Sequence, residues 1–109
     1  MSYSEKYYEE ITAGSLRSAE ELIPIVKTYI QPASVIDIGC GTGAWLSVWK
    51  EHGVQNITGV DGAYINTEQL LIEKSNFIAA NLERELNIPG RFDLVMSLEV
   101  AEHINAEAA

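Results

Sequence analysis

The sequence predicts an α/β fold built on a parallel sheet, and three observations lead to this prediction. Short and almost continuously apolar segments, typical of strands buried on both faces, alternate with segments of helical character. The first of these strands runs into a glycine-rich loop and then into the start of a helix. No internal repeat interrupts this alternation, so we expect a single sheet with strand order 3-2-1-4.

Composition restricts the class of protein. With 109 residues the chain forms one domain at most, and its 47% hydrophobic and 21% charged residues are ordinary for a soluble globular protein. The net charge of −9 argues against a broad nucleic-acid-binding surface, which needs clustered Lys and Arg. The sequence shows neither a signal peptide nor an apolar run long enough for a membrane span, so we expect a cytoplasmic protein.

The chain before the glycine loop is expected to hold two parts. Residues 1–17 place several tyrosines among polar residues, and we interpret them as an N-terminal arm or lid. A capping box from Ser18 to Glu21 predicts that a helix begins after Ser18. Pro24 would delete one backbone hydrogen bond of this helix, and Pro32 follows its end.

The central feature is the strand and loop of residues 35–43, Val-Ile-Asp-Ile-Gly-Cys-Gly-Thr-Gly. Its three glycines, Gly39, Gly41 and Gly43, allow positive φ angles and let a ligand lie directly against the backbone. Asp37 should face the crevice at the carboxyl ends of the strands, because an unpaired buried carboxylate is costly. Cys40 is interpreted as a small filler of the loop, since no cationic residue beside it in sequence would activate the thiol.

The remaining elements are predicted in chain order. The helix after the loop covers residues 45–50 and places its tryptophans in the core, and the second strand covers 57–62. A short helix is expected around 67–74 with Leu70 and Leu71 buried, and then a third strand over 77–80. The fourth and last predicted strand covers 92–98.

The glycine loop fits two classes of ligand. Gly39 and Gly41 followed by Ala44, with Asp61 about 20 residues downstream, fit the dinucleotide-binding fingerprint. Asp37 favours the other class, because a carboxylate before the loop would repel a pyrophosphate and attract a ligand with an ammonium and a sulfonium. The segment resembles motif I of class I S-adenosylmethionine-dependent methyltransferases. The resemblance implies a Rossmann-like fold, with residues 18–109 as an incomplete S-adenosylmethionine-binding part of the domain.

The resemblance also implies roles for individual residues. Asp37 would anchor the amino-acid end of the cofactor, and Asp61 would accept from both ribose hydroxyls, although a turn-forming Asp-Gly is the alternative for Asp61. Asn81 stands where the family often carries an acid that accepts from the adenine amino group, and an amide oxygen can also accept there. The full set of expected cofactor-binding residues is Asp37, Gly39, Cys40, Gly41, Gly43, Asp61, Gly62, Asn81, Leu82 and Leu98.

A candidate metal site follows the fourth strand. Glu99, Glu102 and His103 would share one face of a helix. The triplet is similar to the metal motif of small-RNA 2′-O-methyltransferases and to a signature of ubiquinone-pathway O-methyltransferases. That similarity implies a divalent ion such as Mg²⁺, Mn²⁺ or Zn²⁺ that acts as a Lewis acid on the acceptor. The alternative is a pair of acids that favour a helix N-terminus, with His103 packed or solvated.

Three functions remain open from the sequence. The first is methyl transfer from S-adenosylmethionine to an unidentified acceptor, such as a hydroxyl of a small molecule or sugar, with no catalytic residue assigned. The second is a non-catalytic cofactor-binding fragment or interaction module, because the family's sheet normally continues beyond the fourth strand. The third is an NAD-type oxidoreductase. The apolar edge at residues 94–98 predicts either a homodimer or cover by residues 99–109 and the N-terminal arm.

Overall fold

Four parallel strands form the centre of the fold. The computed structural model describes residues 3–81, 88 and 90–97, and for residues 3–8 it describes the backbone alone. The strands are β1 (Ser34–Ile38), β2 (Asn56–Asp61), β3 (Phe77–Ala79) and β4 (Leu94–Met96). Their order in the sheet is β3-β2-β1-β4, and every pair is parallel. The predicted α/β class and the predicted strand order are therefore confirmed.

A long helix, α1 (Tyr3–Val26), precedes the sheet. The predicted helix start at Ser18 was wrong, because this residue lies inside α1 and does not cap it. The helix passes through the capping-box sequence since the preceding stretch contains no proline and a single glycine, Gly14. Pro24 lies in the last turn, where it removes one backbone donor just before the helix ends. The role of residues 1–17 as an arm or lid stays a prediction.

The core lies between one face of the sheet and both helices. The second helix, α2 (Ala44–Glu51), follows the glycine loop and packs on α1, β1 and β2. Trp49 is almost fully buried, and its Nε1 donates to Sδ of Met96 at 3.3 Å. Trp45 is partly buried against the same cluster, so both tryptophans belong to the core as predicted. The cluster comprises Ala19, Ile23, Val35, Cys40, Leu46, Val48, Trp49, Val54, Ile57 and Ile72.

The segment between β2 and β3 forms two 3₁₀ turns, Thr67–Gln69 and Lys74–Asn76, and the single helix predicted there was wrong. The backbone N–H of Leu71 donates to the carbonyl of Thr42 at 2.8 Å, which removes it from any helical hydrogen bond. Leu71 is 44% exposed, whereas Ile72 is buried in its place. This segment is therefore shaped by its contact with the glycine loop.

An exposed ion pair joins the two turns of this segment. Nζ of Lys74 lies 2.8 Å from Oε1 of Glu68. The hydrogen bond from Lys74, and then its charge, hold the pKa of the Glu68 carboxyl below its ordinary value. Because both side chains are well exposed, solvent screens the pair and it contributes little to stability.

Strand β4 lies at an edge of the sheet formed by the described residues. Its side chains alternate, so that Leu94 and Met96 pack against the core while Val95 is 60% exposed on the other face. Asp93 ties the start of this strand to β1, because its Oδ2 accepts from the N–H of Ala33 at 2.7 Å. Neither helix in the described part of the chain has the length and apolar content needed to span a bilayer.

Candidate cofactor-binding site

The glycine loop turns the chain from β1 into α2. Gly39, Gly41 and Gly43 have φ angles of 84°, 58° and 86°, in the left-handed region that favours glycine, as the sequence predicted. The N–H groups of Gly39 and Cys40 both donate to the carbonyl of Val60, at 2.7 and 3.1 Å. The loop is thus attached to β2 at its first two residues and leaves its later residues at the carboxyl edge of the sheet.

Asp61 ends β2 and joins this strand to the loop. The residue is only 4% exposed. Oδ2 accepts from the N–H of Gly41 at 2.8 Å, and Oδ1 accepts from the N–H of Gly62 at 2.7 Å and from the hydroxyl of Tyr64. The carboxylate of Asp61 therefore joins the end of β2 to the glycine loop.

A second buried acid lies on the neighbouring strand. Asp37 is 4% exposed and is in register with Gly59 of β2 and Met96 of β4. Asp37 is paired with Gly59, and Asp61 lies two residues after Gly59 on the same strand, so both acids point to one face of the sheet. Leu46 of α2 packs over Gly59, so this is the face that carries the helices. A buried carboxylate that stays ionised favours a cationic or multiply hydrogen-bonding partner. The two acids therefore make this edge of the sheet suited to a ligand that carries donors and positive charge.

Cys40 and Gly59 explain why the loop packs so closely on β2. A Cβ built on Gly59 would lie 2.7 Å from Sγ of Cys40 and 3.1 Å from methyl groups of Leu46 and Ile72. Only glycine leaves room there for the thiol and the two aliphatic side chains. This packing supports the interpretation of Cys40 as a filler of the loop. The sequence analysis missed Gly59, although a glycine inside a strand often marks a close approach.

Helix α1 reaches the glycine loop through a pair of hydroxyls. Oγ1 of Thr12 and Oγ1 of Thr42 are 2.9 Å apart and form a hydrogen bond. No sequence signal singled out Thr12, because the helix was predicted to begin only after Ser18. The contact joins α1 directly to the glycine loop.

The expected adenine contact lies at the end of β3. The N–H of Ala80 donates to the carbonyl of Asp61 at 2.8 Å, which places the exposed Asn81 beside the carboxyl end of β2. The part of the chain that the structure describes contains no cluster of three or more potential metal ligands. Five predicted site residues lie outside the described residues: Leu82, Leu98, Glu99, Glu102 and His103.

Comparison with known proteins identifies the family. Residues 8–108 match a family described as "Methyltransferase domain". The chain belongs to the class I S-adenosylmethionine-dependent methyltransferases. The glycine loop and the parallel sheet are the features on which the sequence suggested the same family.

Curated relatives of this chain differ in what their names say they methylate. Ubiquinone biosynthesis O-methyltransferase of Rhodopseudomonas palustris is 33% identical over 76 residues, covering 65% of this chain and 30% of the relative. Ribosomal protein L11 methyltransferase of Thermosipho africanus is 30% identical, covering 71% and 32%. Norajmaline N-methyltransferase of Rauvolfia serpentina is 29% identical, covering 84% and 36%. The chain thus spans about a third of the length of these relatives, and no solved structure matches it with comparable significance.

Proposed function

We propose that this methyltransferase binds S-adenosylmethionine at the carboxyl edge of β1 and β2 and transfers its methyl group to an acceptor hydroxyl. The observation that carries the proposal is the bond from Gly41 N–H to Asp61 Oδ2, at 2.8 Å. The bond joins a buried carboxylate at the end of β2 to a loop of positive-φ glycines that follows β1. A ligand with a ribose and a cationic end fits this combination.

Each residue would hold a different part of the cofactor. Asp37 would accept from the ammonium of the amino-acid end, and Asp61 would accept from the ribose hydroxyls. Gly39, Gly41 and Gly43 would let the ligand lie against the loop backbone, where a side chain would obstruct it. The Oδ1 of Asn81 would accept from the adenine amino group. Gly62 would border the ribose, and Cys40 would border the cofactor from within the glycine loop.

The chemistry depends on position more than on an acid or base. The cofactor supplies an electrophilic methyl group on a sulfonium when it is bound. The residues described here would contribute by fixing that group relative to the acceptor, which turns a bimolecular step into an effectively unimolecular one. We assign no catalytic residue among them.

The acceptor is proposed to be a hydroxyl of a small molecule. Three of the five matched relatives are named as ubiquinone biosynthesis O-methyltransferases, which favours oxygen over nitrogen as the acceptor atom. The net charge of −9 disfavours a polyanionic acceptor such as RNA, because phosphates would be repelled. Assays on a panel of phenolic, sugar and amine acceptors would separate these classes.

Calorimetry tests the cofactor directly. We expect S-adenosylmethionine and S-adenosylhomocysteine to bind and NAD not to bind. Binding of NAD alone would contradict the proposal and favour an oxidoreductase. Binding of S-adenosylmethionine without turnover on any acceptor would favour the alternative of a cofactor-binding interaction module.

A divalent metal would add a second function to the site. We propose Glu99, Glu102 and His103 as its ligands, on the strength of their sequence motif and of the ubiquinone-pathway names among the relatives. Their oxygen and imidazole donors suit Mn²⁺ or Mg²⁺, which would favour loss of the acceptor's hydroxyl proton. We expect Mn²⁺ to bind the protein, and the double variant Glu102→Ala with His103→Ala to lose the metal while cofactor affinity stays near normal. Activity that resists strong chelation would contradict the metal site.

A further inference from the structure

Tyr64 combines an exposed side chain with a hydrogen bond to a buried acid. Among the large hydrophobic residues that the structure describes it is one of the most exposed, at 70%, yet its hydroxyl donates to Oδ1 of Asp61. The ring lies directly over Gly62, where a Cβ would overlap Cδ1 and Cε1 of the tyrosine. Glycine at this position therefore lets the ring fold back far enough for the hydroxyl to reach the carboxylate.

The carboxylate of Asp61 has little remaining capacity for hydrogen bonds. An ionised carboxylate offers about four acceptor positions on its two oxygens. Three are used, by the N–H groups of Gly41 and Gly62 and by the hydroxyl of Tyr64. Two ribose hydroxyls need two positions, so one of the present donors must leave when both bind.

The tyrosine is the donor that can leave. The N–H groups of Gly41 and Gly62 belong to the backbone of the loop and of the strand end, which are held by the sheet. Tyr64, in contrast, has an exposed ring, and its neighbour Ile65 is buried and donates its N–H to the carbonyl of Gly62 at 3.2 Å. The backbone can therefore stay in place while the side chain rotates into solvent.

We infer that the hydroxyl of Tyr64 and a ribose diol compete for the carboxylate of Asp61, and that the diol displaces the tyrosine. This inference rests on the proposed function, since it assumes that Asp61 receives the ribose. The tyrosine hydroxyl keeps the buried carboxylate hydrogen-bonded until the ligand arrives. A ligand with a single hydroxyl would use only the position that is still open, so displacement of the tyrosine needs two adjacent hydroxyls.

The test compares the dissociation constant of S-adenosylhomocysteine for wild type and Tyr64→Phe. We expect the variant to bind about 3- to 10-fold more tightly, because a competing hydrogen bond of ordinary net strength is removed. The matched control is Tyr29→Phe, since Tyr29 is 83% exposed and follows α1, where it should leave the constant unchanged. Circular dichroism and thermal unfolding confirm that both variants fold.

A double-variant cycle assigns the effect to Asp61. In the Asp61→Ala background the tyrosine has no carboxylate to occupy, so Tyr64→Phe should no longer tighten binding. A phenylalanine that merely packed better on the ligand would tighten binding in both backgrounds. That result would overturn the inference.

The remaining outcomes separate the inference from the proposed function. If Tyr64→Phe weakens binding or leaves it unchanged while Asp61→Ala weakens it, the ribose site stands and the displacement of Tyr64 is refuted. If S-adenosylhomocysteine does not bind the wild type, or Asp61→Ala leaves its affinity unchanged, the proposed function itself fails.

Discussion

Replacement of Asp61 by alanine is the most informative single change to the site. It removes the acceptor of two backbone donors, Gly41 and Gly62, and of the hydroxyl of Tyr64. It would also remove the proposed acceptor of both ribose hydroxyls. The variant should therefore lose both stability and cofactor affinity, and the two losses can be measured separately.

The expected magnitudes follow from the hydrogen bonds. A bond to a charged group contributes about 1.5 to 3 kcal/mol, and water can replace part of that for the two half-buried glycines. We expect the free energy of unfolding to fall by about 2 to 3 kcal/mol in total. Loss of a charged acceptor for the ribose should weaken S-adenosylhomocysteine binding about tenfold or more.

Asp93→Ala is a matched control for the structural part. Oδ2 of Asp93 also accepts a backbone N–H, that of Ala33 at 2.7 Å, but it does so at the amino end of β4, away from the site. Because Asp93 is exposed, this change should cost about 1 kcal/mol or less in the free energy of unfolding and leave cofactor affinity unchanged.

Urea unfolding and calorimetry with S-adenosylhomocysteine measure the two quantities, under conditions where more than nine-tenths of each variant is folded. An unchanged dissociation constant in folded Asp61→Ala would remove Asp61 from the site. Equal losses of affinity in Asp61→Ala and Asp93→Ala would show that binding reports general stability and not the contact with ribose.

Two further changes test the loop and the sheet edge. Gly41→Val should abolish cofactor binding while circular dichroism shows the secondary structure largely kept, because a β-branched residue is strained at φ 58° and would obstruct the ligand; normal binding would place the cofactor elsewhere. We also propose that the edge of β4 pairs two chains, so Val95→Lys, at a position 60% exposed, should convert a dimer to a monomer in sedimentation at micromolar concentration. A wild-type monomer, or a dimer that tolerates the lysine, would contradict edge pairing.

The sheet could be predicted from the sequence because its signals are local and agree with one another. The run of apolar residues around Ile36 and the glycine at position 39 each indicate their own structure without reference to distant residues. The helix start at Ser18 failed for the opposite reason, since a capping sequence is also compatible with a helix interior. The segment around Leu71 failed because its backbone bonds to Thr42, which a local pattern does not reveal.

The candidate site, like the fold, was predicted only in part. The positions of Asp37 and Asp61 at the strand ends followed from strand and loop order, which the sequence displays. The donors that Asp61 meets did not, because the Gly41 bond joins residues 20 apart and the Tyr64 bond depends on a ring folding over a glycine. Sequence reasoning therefore locates the acid and misses what the acid is bonded to.

The donors that Asp61 meets affect how the loss of cofactor affinity in Asp61→Ala is interpreted. If ribose displaces the hydroxyl of Tyr64, binding exchanges one hydrogen bond of the carboxylate for another and adds few new ones. The loss caused by Asp61→Ala in the wild type then reports a difference between two donors. With phenylalanine at position 64 no bond is given up, so the same replacement should cost more affinity in that background. The apparent contribution of the acid to binding is therefore set in part by a residue that need not touch the bound cofactor.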